Sequence, residues 1–129
     1  MKRENLHGKV PGYRVELEPS ARRVRILFAG EPIADSRGTL VVKETKHADV
    51  VYFPREDVRM EALERSDHRS FCPFKGEACY WSFGAEAFPG AAEAGRENAV
   101  WSYEAPFPEV AGLKDYVSFY PDRVEWRFD

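Results

Sequence analysis

The chain is poor in cysteine, with two in 129 residues, and that excludes a disulfide framework. Metal ligands are scarce too. Structural zinc sites want four ligands, commonly as two close Cys pairs, and here the single pair Cys72 and Cys79 has only His68 nearby. No metal or cofactor is expected. No apolar run approaches the ~20 residues of a membrane span, and no signal-peptide core follows Met1. A basic excess is also missing: 19 Lys and Arg face 22 Asp and Glu, a formal net charge of −3, which argues against general nucleic-acid binding. Internal repeats are absent. These absences leave a single-domain cytoplasmic protein with no membrane partner as the expectation.

Aromatic residues are abundant. They make up 14% of the chain and favour strands and a ring-lined core or cleft. Residues 1–11 are polar and read as a flexible arm, and 12–129 as one β-rich domain. Tyr13, Val15 and Leu17 alternate with charged residues, as do Val24, Ile26 and Phe28. Period two over both stretches predicts two half-buried strands, and their opposite charges predict that they pair with each other. Ile33–Asp35 and Thr39–Glu44 read as further strands. The apolar run Val50-Val51-Tyr52-Phe53 predicts a strand covered on both faces. Asn98–Tyr103 reads as a strand, Phe107–Lys114 as a short helix, and Tyr116–Tyr120 with Val124–Phe128 as a closing hairpin with Val124, Trp126 and Phe128 inward.

The stretch from Tyr52 to Trp81 gathers both cysteines, His68 and two Pro-led turns. Pro54 ends a strand and opens a brief helical turn, with Glu56 and Asp57 at its positive end. A two-residue hairpin turn at Lys75-Gly76 would set Cys72 opposite Cys79. On an extended strand His68 and Cys72 lie ~13 Å apart, which separates them as a nucleophile–base pair. Arg55, Asp57, Asp67, His68, Lys75 and Tyr80 can instead converge as a polar pocket, with Arg55 and Lys75 holding an anion and Asp57 or His68 moving a proton. Each residue taken alone reads better as a surface ion pair, a cap or a turn residue, and it is their density within one stretch that points to a pocket. Trp81, Trp101 and Tyr103 read as core aromatics or as the stacking wall of that site.

The motifs YFPREDV (52–58), D-H-x3-C-P-F-K-G-E-A-x-Y-W (67–81), AVWSYEAP (99–106) and YVSFYPDRV (116–124) together resemble the bacterial family called domain of unknown function 427, also labelled nucleotidyltransferase-like. The resemblance runs from about Tyr13 to Phe128. It implies a mainly β single domain of coiled antiparallel sheets, similar to Mss4-like folds, with one or two short helices and no established activity. The zinc of Mss4-like proteins rests on two Cys-x-x-Cys knuckles, which this chain lacks. Nor does it hold the Gly-Ser-led Asp-x-Asp strand with which nucleotidyltransferases bind magnesium. The signature positions carried over are Tyr52, Pro54, Asp57, Cys72, Lys75, Gly76, Tyr80, Trp101 and Tyr103.

The expected function is binding of a small anionic molecule, a nucleotide among the candidates. The expected site is Arg55, Asp57, His68, Cys72, Lys75, Tyr80, Trp101 and Tyr103. The alternatives are a small enzyme using Cys72, His68 or Asp57, and a structural or oligomerisation module.

Overall fold

A computed structural model describes residues 4–129. Ten strands form three antiparallel sheets: β1 (Val15–Ser20), β2 (Val24–Phe28), β3 (Glu31–Ser36), β4 (Thr39–Glu44), β5 (Val50–Tyr52), β6 (Leu63–Cys72), β7 (Gly76–Phe83), β8 (Val100–Ser102), β9 (Val117–Phe119) and β10 (Glu125–Phe128). The sheet orders are β1-β4-β5, β10-β2-β3 and β6-β7-β8-β9. One helical turn, α1 (Glu93–Arg96), and short 3-10 turns such as Arg55–Asp57 and Pro108–Leu113 link them. The chain is mainly β, as its alternation implies. No helix among the described residues is long and apolar enough to cross a membrane.

Two of the sheets are joined. Phe53 and Val117 exchange reciprocal backbone hydrogen bonds of 2.7 and 2.8 Å, tying the edge beyond β5 to β9. The result is one curved wall running β1-β4-β5-β9-β8-β7-β6, with the β10-β2-β3 sheet against one of its faces. Strand alternation sorts side chains between the two faces. Phe53, Trp81, Phe83, Val100 and Phe119 enter the core shared with Ile26, Phe28 and Ile33. Val42, Tyr52, Ala78, Tyr80, Tyr103 and Leu113 form a second core on the other face. The run Val50–Phe53 is apolar throughout because it serves both, as its lack of alternation predicted.

Several pairings differ from expectation. β1 and β2 do not pair: β1 lies against β4, setting Glu16 opposite Lys43, and β2 lies between β3 and β10. The basic residues of this segment find acids elsewhere, Arg23 just before β2 binding Asp35 at 2.7 Å and Arg25 within it binding Asp129 at 3.2 Å. Charge matching of a few tenths of a kcal/mol per pair does not outweigh the tight turn at Ala29-Gly30. Both residues there take positive φ (51° and 80°), which closes the β2–β3 hairpin instead. β9 and β10 fall in different sheets rather than forming a hairpin, and Phe128 is 45% exposed.

The central hairpin turns over Pro73-Phe74-Lys75, so that Cys72 faces Gly76 and Cys79 faces Arg69. The cysteines are therefore not cross-strand neighbours. They also point to opposite faces of the wall, Cys72 toward the second core and Cys79 into the first. Gly76 makes this turn practicable. Its φ is +112°, and a Cβ there would stand 3.4 Å from the Ala105 carbonyl oxygen. Gly76→Ala is therefore expected to cost about 1–3 kcal/mol in chemical denaturation. Gly90→Ala, where a Cβ meets nothing within 4 Å, should stay within about 0.5 kcal/mol of wild type.

Candidate functional site

The face of the wall that carries the second core opens into a pocket of about 640 Å³, within the range of small-molecule sites. Its walls are rings: Tyr52 from β5, Tyr80 from β7, Trp101 and Tyr103 from β8 and its extension, Tyr120 after β9, and Phe71 and Phe74 from the hairpin. They gather because alternate positions on successive strands share a face. Trp101 Nε1 donates to the Tyr52 hydroxyl at 3.1 Å, the two rings meeting edge to face. Tyr120, 37% exposed, leans on Trp101 with ring centroids 4.8 Å apart. Burial and the Tyr80 hydroxyl beside it push the Tyr120 phenol up to about 12.

The polar end is built around Lys75, on the turn between β6 and β7 and only 8% exposed. Its ammonium pairs with Glu44, the last residue of β4, whose other oxygen accepts the Tyr13 hydroxyl. Burial pushes the Glu44 carboxyl up, but hydrogen bonds from Lys75 and Tyr13 more than offset it and leave it below its ordinary value. Lys75 Nζ also lies 3.7 Å from Cys72 Sγ. The turn is fixed from outside: Leu6 N–H binds the Pro73 carbonyl and Phe107 N–H the Lys75 carbonyl, each at 3.0 Å. His7 contacts the Phe74 carbonyl at 2.6 Å, and Tyr13 stacks on the Phe74 ring at 4.0 Å.

Three of the polar hydrogens of this pocket, each on a buried residue, have no protein acceptor among the described residues. One belongs to Tyr103, which is 7% exposed and whose hydroxyl makes no hydrogen bond there. Another is the Tyr52 proton, since that hydroxyl accepts from Trp101. The third is the N–H that Lys75 keeps after Glu44 and Cys72. Burial holds the Tyr52 and Tyr103 phenols far above the ordinary range, so both remain donors.

A second depression of about 380 Å³ shares Tyr80 and Tyr120 with the first and is lined by His68, Asn98 and Arg123. His68 reaches it through a bulge. Arg65 pairs with Trp81 and Arg69 with Cys79, so Ser66-Asp67-His68 stand opposite Tyr80 alone. The bulge lays the His68 ring 4.5 Å from that of Tyr80, whose hydroxyl meets Ser70 Oγ at 2.8 Å.

Of the residues expected to form the site, Cys72, Lys75, Tyr80, Trp101 and Tyr103 line the pocket and His68 its neighbour. Arg55 and Asp57 lie elsewhere. Arg55 projects to the opposite face of the wall, where it binds Glu104 and Ser102 Oγ at 2.9 Å each and sits 5.0 Å from the Trp81 ring. Asp57 accepts the Ser36 hydroxyl at 2.6 Å, and Trp81 is in the first core. Sequence reasoning missed Glu44 and Tyr13. The signal was there: in TLVVKE, alternation sets Glu44 on the same face as the buried Val42. Among the described residues no three His, Cys, Asp or Glu side chains are grouped to hold a metal ion.

In comparison with known families, the chain matches the family described as Domain of unknown function (DUF427) over residues 16–129. The match covers most of the sequence, and the protein belongs to that family. Among curated proteins no significant match is found.

The Arg55–Glu104–Arg65 cluster behind the pocket gives a pH prediction. Hydrogen bonding from Arg65 pulls the Glu104 carboxyl down to about 2 against the opposing push of burial, with Arg55 assisting. A depressed carboxyl stabilises the fold above its unfolded value of 4.5 and loses that contribution as pH falls toward 2. With its side chain 34% exposed, solvent screening limits the effect to about 1 kcal/mol. Urea midpoints should therefore fall less steeply between pH 5 and 2.5 in Glu104→Gln than in wild type.

Proposed function

We propose that the protein is a small-molecule binding module whose pocket takes a planar organic molecule carrying acceptor oxygens. The observation that supports this is the Tyr103 hydroxyl, at the end of a mostly buried side chain and without a protein partner among the described residues, beside the free proton of Tyr52 and the third N–H of Lys75. Three donors lining one ring-walled space, each with a hydrogen left over, can be met together by an occupant that accepts. Trp101, Tyr80 and Phe74 supply flat apolar surface for its ring. Because Glu44 already matches the charge of Lys75, the ligand is held by directed hydrogen bonds more than by net charge. Carbonyl compounds therefore suit the pocket as well as carboxylates or nucleotides do. Both cysteines are free, which suits a reducing compartment such as the cytoplasm.

A thermal-shift screen of nucleosides, nucleotides, aromatic carboxylic acids and planar diketones is expected to find a stabiliser. Tyr103→Phe keeps the ring and removes one donor, and should weaken that compound about tenfold. The double variant Glu44→Gln/Lys75→Met removes the buried ion pair as a unit, avoiding the stranded charge that either single change leaves, and should weaken it further. A stabiliser whose affinity survives both changes binds elsewhere, and the reading fails.

A further inference from the structure

The reactive potential of Cys72 is not used by binding alone. It is the half-buried thiol of the pocket, 3.7 Å from the Lys75 ammonium. It lines the same space as the Tyr13, Tyr52 and Tyr103 rings. The other cysteine differs in every respect. Cys79 is buried on the far face of the wall, its Sγ against the Ser102 carbonyl at 3.4 Å, and burial pushes its thiol up. A thiol beside a fixed cation, in a cavity walled by rings and furnished with donors, has what a conjugate addition requires: a nucleophile, a slot for a flat acceptor, and hydrogen bonds for the oxygen that gains charge.

We propose that Cys72 adds covalently to planar α,β-unsaturated carbonyl compounds (enones and quinones) bound in this pocket. The inference rests on the binding reading above and assigns its ligand class. Sulfur loses its proton to water and attacks the β-carbon. The C–S bond forms as the C=C π bond breaks, and the electron pair moves through the α-carbon onto the carbonyl oxygen. Tyr103 O–H, Tyr52 O–H and the free N–H of Lys75 receive that oxygen, and the α-carbon then takes a proton from water. The net change is addition of S–H across C=C, with no oxidant or reductant. Tyr103 and Lys75 act on the developing oxyanion, and Glu44 is a positioning residue that holds Lys75 against the sulfur.

The test uses N-ethylmaleimide as the conjugated probe and N-ethylsuccinimide, which has the same carbonyls without the C=C bond, as competitor. Adducts are mapped by peptide mass spectrometry at neutral pH. Cys72 is expected to label at least tenfold faster than Cys79 and than N-acetylcysteine, and N-ethylsuccinimide should slow it. Tyr103→Phe should lower the rate severalfold, Glu44→Gln/Lys75→Met tenfold or more, and Cys79→Ser should leave it unchanged. If circular dichroism finds the double variant unfolded, Tyr103→Phe decides. Labelling of Cys72 no faster than N-acetylcysteine overturns the proposal, as does a rate indifferent to the donors. Slow labelling alongside a Tyr103-dependent stabiliser in the thermal screen sinks the covalent step alone. Absence of any such stabiliser, with N-ethylsuccinimide failing to compete, sinks the binding reading and this one with it.

Discussion

The reciprocal backbone bonds between Phe53 and Val117 are the joint on which the architecture depends. A strand edge left open carries unpaired N–H and C=O groups that must be satisfied somewhere. Here β5 and β9 satisfy each other and weld two small sheets into one wall. A wall has two sides. One is closed by the β10-β2-β3 sheet and fills with Phe28, Phe83 and Phe119, the first two stacked at 3.8 Å. Among the described residues the other receives the Pro108–Leu113 turn and the N-terminal segment, whose Leu6 and Tyr13 hold the hairpin turn. Incomplete cover on that side leaves the pocket.

At the pocket's polar end, a charge is kept in a place from which water is largely removed. Burial of an ammonium is unfavourable unless a counter-charge and hydrogen bonds compensate it, and Glu44 with Tyr13 supply both. The geometry is set by main chain rather than by the side chains alone. Phe107 and Leu6 hold the turn carbonyls while Gly76 lets the Ala105–Phe107 segment approach. Lys75 is thereby aimed from a rigid turn, which is the condition for directed hydrogen bonding to an occupant.

Much of this was legible in the residues. The alternation of Val24, Ile26 and Phe28 and the unbroken run Val50–Phe53 report their burial correctly, and the motif cluster points to the family. What the sequence does not carry is which strands meet. The opposite charges of β1 and β2 misled, because exposed pairs contribute too little to choose partners. Arg55 was misplaced for a related reason. Sequence proximity to Asp57 and the hairpin says nothing about which side of a sheet a side chain takes, and the 3-10 turn after Pro54 sends it to the far side. Glu44 was hidden by the opposite habit, reading a charged residue at a strand end as solvated.

The bulge that lays His68 over Tyr80 also shapes the rim of the molecule. β6 is an outer strand of ten residues, long enough to template the addition of another chain. Three residues bowed out of register interrupt its ladder, and Glu64, Arg65, Asp67 and Arg69 crowd the same stretch with both signs of charge. A second copy approaching edge-on would meet a broken ladder and have to strip water from four ions. The bulge and its charges therefore disfavour extension of the sheet along that border.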